Sequence, residues 1–226
     1  MKPTPESKKI RILVADDHEI VRHGVRNLLE SEPDLEVIAE ATDGRDAVVL
    51  CAKKNPDIAI LDLGMPGLNG MEATRQIRKQ SPTTKILIFT MHETERLVQE
   101  VFQAGAQAYV LKSDAGKHLV HAIRAIHQGE RFFSSKVTEV IFEGFLRSAS
   151  GDAPTIASDD AIRPTSREHE IIQLLAEGKS NKEVAVVLGI SVKTAETHRA
   201  SIMRKLNFHS MSDLVRYAIR NHIIEA

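Results

Sequence analysis

The chain has a single cysteine, Cys51, which excludes an internal disulfide framework and a cysteine-rich zinc site. It has no tryptophan and only 4% aromatic residues, which speaks against the aromatic-lined pocket of a small-molecule sensor. No apolar run approaches the roughly 20 residues that cross a bilayer. The N-terminal MKPTPESKK lacks the apolar core of a signal peptide. A cytoplasmic protein with no membrane partner is therefore expected. Nor does one sign of charge dominate, since the formal net charge is −1. The balance is uneven, however. From Ala161 to Ala226 there are 10 Lys/Arg against 7 Asp/Glu, and over the rest 20 against 24. This implies a mildly acidic front and a basic tail, too small a difference to identify nucleic-acid binding alone.

What is present is an ordinary globular composition, 42% hydrophobic and 27% charged, in 226 residues. That length suits one large domain or two small ones. Short apolar runs stand at 10–15, 35–41, 57–62, 84–90 and 107–112. Segments of helical spacing lie at 19–31, 44–54, 69–80, 94–104 and 115–128. Runs such as ILVA and IAIL are apolar on both faces, as buried parallel strands are. The alternation predicts an α/β domain over 9–128, a flavodoxin-like, doubly wound sheet of five parallel strands. Cys51, within AVVLCAKK, reads as a small buried apolar residue.

The pattern changes after residue 128. RFFSSKVTEVIFEGFLR fits one more helix, and SASGDAPTIASDDAIRP reads as a linker. Residues 129–163 are thus expected to connect two domains. In 164–226 only helical signals follow. Thr165 with Glu168, and Ser180 with Glu183, have capping-box spacing, while Gly178 and Gly189 fit helix stops. Four helices are predicted, at about 166–177, 181–188, 192–206 and 211–222, with the short turn LGIS of a helix-turn-helix.

In an open parallel sheet, ligands gather at the carboxyl ends of the strands. The first predicted strand, in ILVADDH, ends at Asp16 and Asp17. The third ends at Asp62, the fourth at Thr90 and the fifth at Lys112. Clustered carboxylates repel one another and resist burial. A hard divalent cation among them, with Lys112 as counter-charge, removes the conflict. Mg²⁺ prefers oxygen ligands and commonly shares a site with a phosphate. The set suggests a carboxylate that becomes phosphorylated beside a metal. His18 and His92 lack the spacing of paired ligands and are not expected to hold Mg²⁺.

ADDH, LDLGMPGLNG, the strand-ending Thr90 and QAYVLK, in this order over about 10–128, resemble the receiver domain of two-component response regulators. The resemblance implies that Asp62 is the phosphoacceptor. It implies that Asp16, Asp17, Asp62 and the Gly64 backbone carbonyl hold Mg²⁺. Thr90 and Lys112 would then engage the phosphoryl group, and Tyr109 would be the switch aromatic, turning inward when Thr90 moves. The donor would be a sensor histidine kinase. Gly64 lacks a side chain where many relatives carry one near the attacking water. With His92 it is expected to tune the lifetime of the phosphorylated state.

The segment TSREHEIIQLLAEGKSNKEVAVVLGISVKTAETHRASIMRKL resembles the LuxR-type helix-turn-helix output domain, with Pro164 where that family often has Leu. Together the halves are similar to the NarL/FixJ subfamily, whose members are transcription regulators rather than enzymes. The helix at 192–206 is the expected recognition helix, entering the major groove of promoter DNA. At about 100° per residue, Lys193, Glu196, Thr197 and Ala200 share a face. Glu196, Thr197 and Ala200 are expected near base edges, and Lys182, Lys193, Thr194 and Arg199 at phosphates, with His198 in the same half. Ser180, Asn181 and Lys182 open the preceding helix, where backbone N–H groups meet phosphates. Ala195, Ile202, Met203 and Leu206 read as core.

In that subfamily the last helix supplies a dimer contact. Val215 and Ile219 are the candidates here, and a homodimer on DNA or after phosphorylation is expected. In the family the receiver covers the recognition helix until phosphorylation releases it. Two other readings stay open: DNA binding without phosphate control, and a Mg²⁺-dependent phosphatase with Asp62 as nucleophile. Gly64 stands where that phosphatase type has its second Asp, which argues against the latter.

Overall fold

The computed structural model describes residues 9–134, 137–139 and 164–224. The first domain alternates strand and helix: β1 (Ile10–Ala15), α1 (Glu19–Glu30), β2 (Leu35–Ala41), α2 (Gly44–Lys54), β3 (Ile58–Leu61) and α3 (Gly70–Gln80). Then come β4 (Lys85–Thr90), α4 (Glu95–Ala104), β5 (Ala108–Leu111), a 3₁₀ turn (Lys112–Asp114), α5 (Ala115–His127) and β6 (Phe132–Phe133). The strands are all parallel, in the order β2-β1-β3-β4-β5-β6. The connections run outward in opposite directions from β1 and β3. The ends of these two strands therefore flank the crevice in which a doubly wound sheet binds ligands.

Alternation along each strand divides the core in two. Leu13, Leu61, Ile88 and Tyr109 face α2, α3 and α4, and Ile12, Ile60, Phe89 and Val110 face α1 and α5. Cys51 is fully buried among the first set, and burial pushes its thiol up to about 12. It is the inert apolar residue expected.

The sheet has six strands, not the predicted five. Gly129, at φ +94°, ends α5 in a conformation open to glycine. The chain then returns alongside β5, pairing Phe132 with Ala108 and Phe133 with Tyr109. Phe133 packs on Phe102 of α4 with ring centroids 4.6 Å apart. The helix predicted from RFFSSKVTEVIFEGFLR therefore does not begin there. Residues 137–139 are helical, with Val137 buried. The remainder of that segment and the predicted linker lie outside the described residues.

The second domain is α6 (Ser166–Ala176), α7 (Asn181–Leu188), α8 (Val192–Lys205) and α9 (Met211–Arg220). Both predicted capping boxes form, and Ser210 with Asp213 makes a third. Gly178 and Gly189 have φ of +87° and +62°, as C-terminal stops require. Ile171, Leu174, Ala195, Ile202, Leu214 and Ala218 form its core. Met203 and Leu206 pack against that core half-buried.

The domains meet through α6 and the residues after α9. Gln76 donates to Glu170 at 2.9 Å, and Arg96 to Asn221 at 3.0 Å. The His92 and His222 rings lie 4.8 Å apart. His169 Nδ1 stands 3.6 Å from the buried Glu72 carboxylate. Burial depresses the His169 imidazole to about 4, helped by nearby Arg75, and raises the Glu72 carboxyl. Between these residues lies a cavity of about 290 Å³, lined in part by Glu72, Arg96, His169 and His222.

Candidate functional site

Four of the five strand-end residues converge as charge requires. β1 delivers Asp16 and β3 delivers Asp62, 1% and 3% exposed. From the turn after β5, the Lys112 ammonium lies 2.8 Å from Asp16 Oδ2 and 2.9 Å from Asp62 Oδ2. Asp62 Oδ1 accepts the Leu63 N–H at 2.8 Å, and Asp16 Oδ1 accepts the His18 N–H at 2.9 Å. One lysine thus bridges two buried carboxylates whose outer oxygens are held by backbone. Burial raises the Asp62 carboxyl above the usual range, although Lys112 pulls it down. Burial also disfavours the Lys112 charge, but Asp62 and Asp16 outweigh that and hold its pKa above the lysine norm.

Asp17 is exposed at the mouth, with the His18 Nδ1 at 2.8 Å. One ligand atom each from Asp16, Asp17, His18 and Asp62 lies within 4.8 Å of the others. Three carboxylates at this spacing fit a hard, oxygen-seeking cation such as Mg²⁺. His18 enters the cluster by folding over Asp17, a contact its place in the sequence did not suggest. Arg22, on α1, also belongs here by donating to the Asp16 carbonyl at 2.8 Å.

Thr90 ends β4 and is buried beside the loop to α4. Its Oγ1 accepts the His92 N–H at 3.3 Å. Tyr109 projects from β5 into the core, fully buried, and its hydroxyl donates to the His92 carbonyl at 2.8 Å. Burial, with the negative charges of Asp62 and Glu93, raises the Tyr109 phenol above its ordinary range. Thr90 and the expected switch aromatic are therefore both tied to one loop residue, His92, and Tyr109 already lies inward in this structure, so the inward turn expected of it has no room to occur.

The loop from Leu63 to Asn69 leaves Asp62 and turns into α3. Asn69 caps the helix by accepting the Glu72 N–H at 2.9 Å. A Cβ on Gly70 would lie 1.9 Å from the Asp62 carbonyl oxygen, so only glycine lets the helix start this close. Gly44 admits the Leu68 carbonyl in the same way, at 2.1 Å from a would-be Cβ. Two partners of this loop were not anticipated. Gln173 and Glu177 come from the second domain and bond its backbone. A glutamine inside the apolar run EIIQLLA was the one visible sign.

On α8, Lys193, Thr194, Glu196, Thr197 and Ala200 are exposed, as Lys182 is on α7. Ala195 is buried on the opposite face, as the periodicity predicts. Thr194 Oγ1 lies 2.8 Å from Ser191 Oγ, and Thr197 Oγ1 donates to the Lys193 carbonyl. His198 and Arg199 are only half-exposed, and Arg199 reaches Asn181 Oδ1 at 3.4 Å. The receiver leaves the outward face of this helix exposed. The first domain docks on α6 and beyond α9 instead. Val215 is half-buried and Ile219 exposed. Among the described residues, no helix is long and apolar enough to cross a membrane.

Residues 12–124 match the model of the response regulator receiver domain, and residues 165–218 match that of the bacterial regulatory proteins of the luxR family. The chain is 39% identical over 217 residues to the oxygen regulatory protein NreC of Staphylococcus epidermidis, covering 96% of this chain and all of that one. It is 39% identical over 215 residues to the transcriptional regulatory protein LiaR of Bacillus subtilis, covering 95% and 99%. Among solved structures, the response regulator RcsB in complex with DNA superposes with a TM-score of 0.59 at 26% identity, covering 95% of this chain and 99% of that one.

Proposed function

Because the chain belongs to the two-component response regulators that join a receiver to a LuxR-type DNA-binding domain, transcription regulators rather than enzymes, we propose that phosphorylation of Asp62 controls its binding to promoter DNA. We assign the receiver to 9–128 with β6 added at its edge, the connection to the rest of 129–163 and the DNA-binding domain to 164–226. The observation that carries the reading is the buried trio of Asp16, Asp62 and Lys112, with Lys112 within 2.9 Å of both carboxylates.

Asp16, Asp17, Asp62 and the Gly64 carbonyl would hold Mg²⁺. The bound ion would neutralise charge on the incoming phosphoryl oxygens. Asp62 supplies the nucleophile: one carboxylate oxygen bonds to the phosphorus of a phosphohistidine, whose P–N bond breaks as the imidazole leaves. Lys112 already faces Asp62 and stays paired with the acyl phosphate. The new group adds about −1.5 to −2 charge and strong acceptor oxygens. Thr90 then turns from the His92 N–H toward those oxygens. Tyr109 stays bonded to the His92 carbonyl, so the β4–α4 loop moves as one piece. This is a two-state element biased by a local charge. The output is a dimer that places Glu196, Thr197 and Ala200 at base edges. Lys182, Lys193, Thr194, His198 and Arg199 lie toward the backbone.

The test is incubation with Mg²⁺ and acetyl phosphate, followed by intact mass and solution size. Wild type is expected to gain one phosphoryl adduct and shift toward dimer, while Asp62→Asn gains none. Wild type that stays unlabelled where a control receiver is labelled would refute phosphate control and leave the DNA-binding domain acting without it.

A further inference from the structure

The second domain reaches into the loop that leaves Asp62. Gln173, on α6, is 1% exposed. Its Nε2 donates to the Met65 carbonyl at 2.9 Å, and its Oε1 accepts the Asn69 N–H at 2.8 Å. It pairs with both kinds of backbone group, as a neighbouring strand would. The same Nε2 donates to Glu177 Oε1 at 2.9 Å, and that oxygen accepts the Gly67 N–H at 2.8 Å. Three backbone groups within five residues are thus satisfied by two side chains one helical turn apart.

The loop needs such support. It contains Gly64 and Gly67, the latter at φ +72°, and glycine loses the most freedom on ordering. Its own backbone-to-backbone closures are the Leu68 N–H to the Pro66 carbonyl at 2.8 Å and the Gly70 N–H to the Leu63 carbonyl at 3.1 Å. Neither fixes residues 64 and 65. The Gln173 bond to Met65 falls on the residue next to the Gly64 carbonyl.

Resting on the phosphoacceptor reading above, we propose that Gln173 and Glu177 are positioning residues for the chemistry at Asp62. The DNA-binding domain holds the loop so that the Gly64 carbonyl is in place for Mg²⁺. Ordering the loop in advance removes a cost that Mg²⁺ binding must otherwise meet. Binding free energies are reciprocal, so Mg²⁺ tightens docking of the domains by the same factor. This route runs through the β3–α3 loop and is separate from the one through Thr90 and Tyr109.

The experiment uses the full chain and three variants: Gln173→Ala, Glu177→Ala and Glu177→Gln. The polar atoms of both side chains point at the receiver or at each other, so the core of the second domain is left intact. Thermal melting monitors this. Mg²⁺ is titrated by calorimetry without any phosphoryl donor, and hydrogen exchange is followed at the amides of 64–70. Gln173→Ala is expected to weaken Mg²⁺ about tenfold, the lower end of what losing a group that orients a metal ligand costs. Exchange at Gly67 and Asn69 speeds up with it. Glu177→Ala shifts in the same direction by less, and Glu177→Gln, which keeps the acceptor oxygen, stays near wild type.

Mg²⁺ affinity of Gln173→Ala equal to wild type, or tighter, would overturn the proposal. So would a Glu177→Gln variant as impaired as Glu177→Ala. Wild type that binds no Mg²⁺ at all overturns the phosphoacceptor reading itself, which is a distinguishable failure.

Discussion

The receiver's sheet edge and the reading helix of the second domain handle charge in opposite ways. At the edge, Asp16 and Asp62 are withdrawn from water and share one lysine before any ligand arrives. On α8, Lys193, Thr194, Glu196, Thr197 and Ala200 remain in water. The first arrangement is costly if its lysine is lost, because a buried charge without its partner is strongly unfavourable. The second costs the free protein almost nothing, and on the proposed reading its worth appears only when DNA supplies the partners. Substitutions should therefore register in stability at one place and in binding at the other.

The largest expected effect tests the buried side. Lys112→Met leaves two carboxylates unpaired and is expected to lower stability by about 3 kcal/mol. In a chain of this size that lowers Tm by about 6–12 °C, readable by calorimetry. Asp62→Asn should not lower Tm, since it removes a carboxylate that burial already disfavours. A fall as large as that of Lys112→Met would break the contrast.

Gly70→Ala comes next. Its Cβ meets the Asp62 carbonyl at 1.9 Å, a backbone atom with nowhere to go. Overpacking of this kind costs about 2 kcal/mol. Gly67→Ala meets nothing within 4 Å and carries only the strain of φ +72°, about 1 kcal/mol. Chemical denaturation of the two variants side by side gives the comparison.

On α8 the order reverses. Thr197→Ala and Lys193→Ala should change stability by less than about 0.5 kcal/mol. Each should weaken binding to a selected operator by about 1–2 kcal/mol in fluorescence anisotropy. Lys182→Ala should lower the salt dependence of duplex binding by about one unit of slope, whatever the sequence.

The smallest effect lies between the regions. His169 is held neutral in the docked form, with its pKa lowered to about 4. Below the ordinary value near 6.5, the undocked form takes up a proton that the docked form refuses. Docking is thus strongest above that value and weakens as pH falls toward about 4. Between pH 7.5 and 6 this amounts to about 1 kcal/mol. Glu72, raised by burial, acts in the opposite sense, so the clean readout is a difference. Small-angle scattering should show wild type expanding more than His169→Gln on acidification.

The buried site was the more legible of the two. A β-type run that stops abruptly at a polar or charged residue marks both the strand and its ligand-binding end, so Asp16, Asp62, Thr90 and Lys112 could be placed without coordinates. β6 was not legible. Two phenylalanines are too few to show alternation, and they suit a helix equally well. On α8 the period separated buried Ala195 and Ile202 from the outward residues, but a solvated face and a DNA face have the same period. Only the family resemblance points to DNA on that face. Arg199 was assigned to phosphate, yet in the free chain it also reaches Asn181, a neighbour that helical spacing cannot reveal. Gln173 meets Met65 across 108 residues, a pairing no local pattern encodes.

The docking face has a consequence for how a signal is read out. With α8 uncovered while the domains are docked, no share of the intrinsic affinity is forfeited to a closed population. On the proposed reading, a single copy could then sample duplex DNA before phosphorylation. The gain on phosphorylation would come from tethering two copies, because the second half-site is then met at the high local concentration set by the first. The response would scale with the square of protein concentration at low occupancy, and so would sharpen with expression level as well as with stimulus.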